Sequence, residues 1–134
     1  AVCGTPRLVR NGVASHEAEI EGSTGRRFIR HNLARTAIGT DRSGNKIIIA
    51  SVEPASSQGN VMGASLRQMA EIMKLLGAYQ AMNLDGGGST GMVVQDDHVF
   101  FDGEDPPTRR IAVGLGVVKR SMVLRRTPRA GGTR

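Results

Sequence analysis

The sequence predicts an α+β domain, a mixed and mostly antiparallel sheet with one well-defined helix packed on it. Three observations predict this. β-Branched runs, above all Ile47-Ile48-Ile49, lie beside clusters of turn-forming residues. Only the stretch from Ser65 to Gly77 carries helical apolar spacing. Gly is abundant at 18 of 134 residues, while aromatics are 3% and Trp is absent. Many turns and close backbone approaches are therefore expected around a core of Ile, Val, Leu, Met and Ala. The length suits one domain.

The elements follow in chain order. Arg7 to Val9 reads as a short strand closed by the turn signal Asn11-Gly12. Ser15 to Arg27 is polar, with Glu17, Glu19 and Glu21 alternating and Gly at 22 and 25, and reads as an exposed loop. Thr36 to Gly39 begins a second strand, and Asp41-Arg42-Ser43-Gly44-Asn45 is rich in turn residues. Lys46 to Val52 is continuous and β-branched, as a strand buried on both faces would be. These two strands form a β-hairpin. Pro54 to Gly63 has no periodic pattern and reads as a loop.

Ser65 then caps a helix, with Gln68 three residues on completing a capping box. Leu66, Met69, Ala70, Met73 and Leu76 form its apolar stripe, broadened by Ile72 and Leu75. Arg67 and Glu71 make an i,i+4 pair on the polar side, and Gly77 ends the helix in the C′ position. Ala78 to Leu84 follows as a third strand. Gly91 to Gln95 and His98 to Phe101 form a second hairpin around Asp96-Asp97. Asp102 to Thr108 is a loop, and Ile111 to Val118 alternates apolar and small residues as a last strand. No internal repeat is visible.

The net charge of +6 is concentrated at the C-terminus. Lys119, Arg120, Arg125, Arg126, Arg129 and Arg134 lie there without an acid. Of the 18 Lys and Arg, 12 then remain against 12 Asp and Glu, so the body is formally neutral. The expected organisation is one domain over 1–118 and a basic, disordered tail over 119–134. No specific nucleic-acid partner is expected. The lone Cys3 excludes an internal disulfide and a cysteine zinc cage. No run approaches the roughly 20 apolar residues of a membrane span, and no charged-then-apolar stretch marks a secretion signal. The opening Ala1-Val2-Cys3-Gly4 suits a piece of a longer protein.

Chemistry concentrates in Met82-Asn83-Leu84-Asp85-Gly86-Gly87-Gly88-Ser89-Thr90. Strand alternation places Met82 and Leu84 toward the core, with Asn83 and Asp85 together on the other side. Three glycines permit positive φ and remove side chains that would bar a ligand. Successive N–H groups there can form an anion nest, to which Ser89 and Thr90 add hydroxyls. A carboxylate beside such a nest suits an ester linking sugar and phosphate. Spacing alone equally allows a tight strand-to-strand turn with Asp85 capping amides. A Walker loop is excluded, because its Lys is missing and a strand follows instead of a helix. His16, His31 and His98 show no metal-ligand spacing, and none is expected to be catalytic. Asp85 alone makes a poor calcium site, so no metal or cofactor is expected.

Leu66-Arg67-Gln68-Met69-Ala70 to Leu76-Gly77-Ala78, followed by Ala81 to Thr90, resembles the signature of the phosphodiester glycosidase family. Arg35-Thr36-Ala37-Ile38-Gly39 is similar to the family's Arg-Thr-Ala-Ile-Gly strand, and Arg109 with Ile111 to Val118 to its closing segment. The resemblance runs from about Arg7 to Val118. It implies a large, mostly antiparallel sheet and hydrolysis of a sugar-1-phosphodiester at the anomeric carbon. By this resemblance Asp85 is nucleophile, base or charge stabiliser, with Asn83 beside it. Arg35 and Arg109 hold phosphate oxygens, and Gly86, Gly87, Gly88, Ser89 and Thr90 complete the substrate loop. The implied partner is a sugar-phosphate or a polysaccharide of the exopolysaccharide type, in the cell envelope or secreted.

The family's upstream Asn-Gly-Gly-aromatic segment is not in this chain, and Pro54-Ala55-Ser56 stands where relatives carry Asp-Gly-Arg. Ala34 replaces a proline, and Gly91 a hydroxyl residue. The competing expectation is a non-catalytic or truncated remnant that binds sugar-phosphate or polysaccharide. A sheet edge left open by missing strands would let the chain pair with a second copy as a homo-oligomer.

Overall fold

The computed structural model describes residues 2–53, 63–94, 97–101 (backbone only), 110–111 and 113–118. The expectations for the loop after Pro54, for Arg109 and for the basic tail lie outside the described residues. Strands β1 (Arg7–Arg10), β2 (Val13–Ala14), β3 (Arg35–Thr40), β4 (Ile47–Val52) and β5 (Gln80–Asn83) form one sheet in the order β2-β1-β5-β3-β4. Each neighbouring pair is antiparallel. With helix α2 (Leu66–Leu75) the architecture is the expected α+β one.

Local chemistry explains the turns. Asn11 and Gly12 both take positive φ, the requirement of a two-residue hairpin whose twist matches its strands. Between β3 and β4, Asp41 accepts hydrogen bonds from the Ser43 hydroxyl (2.7 Å) and the Lys46 N–H (3.1 Å). The hairpin then runs in unbroken register from Thr40 opposite Ile47 to Arg35 opposite Val52. β4 is not buried on both faces as its composition suggests. It is an edge strand whose helix-covered face takes Ile48 into the core, while Ile47, on the opposite face, is 63% exposed.

Helix α2 starts where its cap predicts. The Gln68 N–H donates to Ser65 Oγ, and the Ser65 N–H donates to Gln68 Oε1 at 2.8 Å. It stops at Gly77, whose φ of +92° lets its own N–H reach Lys74 and the next N–H reach Met73. The buried stripe is narrower than expected. Leu66, Met69, Ala70 and Met73 are inside, whereas Leu75 is 85% and Leu76 51% exposed. Leu75 points away from the stripe, and Leu76 is the C-cap where the helix ends.

The stripe covers one face of the sheet. Val9, Ala81, Gly39 and Ile48 form a row across four strands on that face. Gly39 must be small: a β-carbon there would lie 2.6 Å from the Gln80 carbonyl and 3.0 Å from Met73 Cε. Helix and sheet approach closely because that position is empty.

Two further expectations are corrected. The segment from Ser15 to Arg27 is more than an exposed loop: Ala18 is fully buried, and its last two residues begin helix α1 (Arg26–Arg30). Glu21 ties this region to β1 by accepting from the Thr5 hydroxyl and the Arg7 N–H, and Glu17 pairs with Arg10. A helix of one turn is too short to show apolar periodicity. Secondly, the described residues of Ile111 to Val118 form no strand, and their large side chains are exposed. Alternation provides two faces, but a strand also needs a neighbour's N–H and C=O groups. The hairpin of β6 (Gly91–Val94) and β7 (Asp97–Phe101) forms as expected, as a separate two-stranded sheet.

Candidate functional site

The chain leaving β5 stays on β3 by main-chain bonds. Asn83 lies opposite Ala37, the Leu84 N–H donates to Thr36 O (2.8 Å), and the Gly87 N–H donates to Ala34 O (3.0 Å). Gly86 makes this approach possible, since a β-carbon there would stand 2.7 Å from the Ala34 carbonyl oxygen. Gly87, at φ +57°, then turns the chain into a single 3₁₀ turn, Gly87–Ser89. Ser89 and Thr90 donate back to the carbonyls of Gly86 and Gly87.

The glycine run is therefore a compact turn pinned to β3. Of its amides, that of Gly86 donates to Asp85 Oδ1 (3.0 Å), and those of Gly87, Ser89 and Thr90 are satisfied by main-chain carbonyls. The Gly88 N–H has no acceptor among the described residues. A nest of several free amides, expected from the sequence, is not formed. Asp85 is exposed, and its Oδ2 has no partner among the described residues.

Asn83 does not accompany Asp85. It is 2% exposed and shares the helix-covered face with Ala81, while Met82 is partly exposed on the opposite face. The strand order decides this. β5 lies between β1 and β3, where Asn83 pairs with the fully buried Ala37. The Asn83 amide donates to Thr5 O (3.1 Å) and Leu84 O (2.6 Å), tying the N-terminal segment to the site. Its Oδ1 and the Oγ1 of Thr90, a residue 2% exposed, are buried without partners among the described residues.

Arg35 is also internal, at 1% exposure. Its Nε donates to Ala64 O (2.9 Å), its Nη2 donates to Phe28 O and to His31 O (3.3 Å), and its carbon lies 5.0 Å from the Phe28 ring centre. Burial holds its pKa below the ordinary arginine value. No carboxylate pairs with it among the described residues. The carbonyls of Ala34 and Ala64 are the contributors that sequence reasoning missed, because a main-chain acceptor leaves no side-chain signal.

Among the described residues no group of three His, Cys, Asp or Glu is arranged to hold a metal. Two depressions, of about 390 and 370 Å³, lie around Arg7 and Met82, and neither includes Asp85. Asp85 thus stands at the surface on a turn hydrogen-bonded to the main chain of Ala34.

Residues 1–118 match the model of the phosphodiester glycosidase family. The chain belongs to the phosphodiester glycosidase family. The N-acetylglucosamine-1-phosphodiester alpha-N-acetylglucosaminidases of Mus musculus and Homo sapiens are each 34% identical to it over 100 residues. Those alignments cover 68% of this chain and 18% of either relative. The chain therefore spans about a fifth of the length of the curated relatives it matches. The zebrafish enzyme's catalytic domain, solved in a form auto-inhibited by its pro-peptide, superposes with a TM-score of 0.59 at 30% identity. That match covers 72% of this chain and 33% of the zebrafish one. A hypothetical protein from Synechocystis matches at 0.59 and 36%, covering 71% of this chain and 17% of that one. This phosphodiester glycosidase chain is thus similar in sequence and fold to part of each. No helix among the described residues is long and apolar enough to cross a membrane.

Proposed function

We propose that this chain carries part of a site that hydrolyses a sugar-1-phosphodiester at the anomeric carbon. The observation that carries the reading is an exposed carboxylate, Asp85, at the head of a glycine turn pinned to β3, within the segment that matches the family. In the reaction the bond from C1 to the phosphate oxygen breaks, and a water oxygen bonds to C1. The water's proton passes to solvent, and the sugar and a phosphate monoester leave. A phosphate monoester leaves readily, so the protein's main task is to stabilise oxocarbenium-like positive charge at C1. Asp85 supplies the negative charge for this, as stabiliser, nucleophile or base. Gly88 N–H and the Ser89 hydroxyl are donors for sugar or phosphate oxygens on the same turn. Arg109 is the proposed phosphate-holding cation. The names of the mouse and human relatives make N-acetylglucosamine the first sugar to test.

The test is release of free N-acetylglucosamine from the p-nitrophenyl phosphodiester of N-acetylglucosamine-1-phosphate by the full chain. Asp85→Asn is expected to lower kcat by about 10²- to 10⁴-fold, the range for a group acting directly in the transition state. Turnover that survives the substitution intact would remove Asp85 from the mechanism. A chain that binds the ester without cleaving it would be a binding module instead.

A further inference from the structure

We infer that Arg35 is a positioning residue for the Asp85 turn, acting through the main chain of Ala34 and not by touching phosphate. The inference rests on the proposed reading of Asp85 for its kinetic arm only. A guanidinium buried to 1% exposure with no carboxylate among the described residues is costly unless its donors are used. Here Nε and Nη2 are used on three carbonyls from two separate segments, while Nη1 has no acceptor among the described residues. Phe28 and His31 lie at the end of α1, and Ala64 immediately precedes the cap of α2. Ala64 is itself bridged to Leu33 by paired main-chain bonds of 2.9 and 3.1 Å. The side chain therefore locks α1, the entry to α2 and the first residues of β3 together.

The adjoining main chain carries that lock to the site. Ala34 O accepts the Gly87 N–H, and the Gly86 backbone rests so closely on Ala34 O that no β-carbon fits. A β-carbon at Gly86 would also come within 3.6 Å of Arg35 Cα. Any displacement of residues 34 and 35 moves the seat of the turn that bears Asp85. Placement to within about 0.5 Å is what a reacting group requires. Lysine cannot substitute, because one ammonium on a flexible stem does not span a planar fork's separated acceptors.

Arg35→Lys and Arg35→Met are compared with wild type by amide hydrogen exchange without substrate and by the ester assay. Positioning predicts faster exchange, on the order of tenfold, at the amides of Gly87, Ser89 and Thr90 in both variants, with α2 still protected. It also predicts a kcat loss on the order of 10²-fold with KM little changed, and no rescue by lysine. Gly86→Ala, which lifts the same turn without altering Arg35, is expected to reproduce both signatures. Unchanged protection of the turn in both Arg35 variants would overturn the inference, as would exchange accelerated equally throughout α2. A rise in KM alone that lysine repairs would mark direct phosphate contact and overturn it as well. Should wild type cleave no ester, the proposed activity fails while the exchange arm still decides the role of Arg35. Should Arg35→Met not fold, Arg35→Lys decides it.

Discussion

Gly86 lies with its backbone against the Ala34 carbonyl, where an added β-carbon would be 2.7 Å from the oxygen. The clash is with main chain and no flexible side chain can yield, so turn or strand must move. Gly86→Ala is therefore expected to lower stability by about 1–3 kcal/mol, read from urea denaturation midpoints. Among the described residues, two carboxyls contribute to the acid response. Glu17 is held below the usual carboxylate range chiefly by the hydrogen bond from Arg10, and Asp41 chiefly by the Ser43 hydroxyl. A carboxyl with a depressed folded pKa adds stability that is complete above its unfolded value of about 4. That stability is lost as pH falls through the lower folded value. Asp41→Asn should therefore reduce the drop in urea midpoint between pH 6 and pH 3. An unchanged drop would show that the turn carboxylate does not contribute.

At the scale of elements, α2 is the best specified part of the chain. Its cap, its i,i+3 and i,i+4 apolar spacing and its glycine stop each act within a turn or two of sequence. Ser65→Ala removes the acceptor of the Gln68 N–H and is expected to cost about 1 kcal/mol, measurable by thermal or urea unfolding. Helix α1 is the opposite case. It has no side-chain cap and buries only Ile29 of its five residues. Its C-terminal carbonyls are instead satisfied by Arg35 from another element. So short a helix does not stand on propensity. Its place depends on contacts from another element, and for that reason the sequence pattern shows no helix there.

Across the whole molecule, α2 and the covered face of the sheet share one core. Met73 touches its centre, and Leu75, two residues on, lies outside it. Met73→Ala is expected to cost about 2–5 kcal/mol through lost burial and a cavity. Leu75→Gln should stay within about 0.5 kcal/mol. Urea midpoints of the two variants measure the contrast, and equal losses would contradict the packing described. The same asymmetry governs the site. Asp85 is at the surface while Asn83, two residues away, is inside, because β5 is inserted between β1 and β3 and one of its faces is closed by α2.

Taken by itself, the sequence determined the β3–β4 hairpin, both ends of α2, the β6–β7 hairpin and a tight glycine turn after β5. These rest on interactions between residues a few positions apart, so their signals are local. Tertiary structure alone decided that β4 is an outer strand with Ile47 exposed, and that Asn83 is buried while Asp85 is at the surface. It alone decided that Arg35 is buried among carbonyls and that most amides of the glycine turn are already bonded. Each of those outcomes depends on which distant strand or carbonyl becomes a neighbour. Composition and periodicity describe a residue's preferences, but the partners that satisfy a buried donor are chosen only when the whole chain packs.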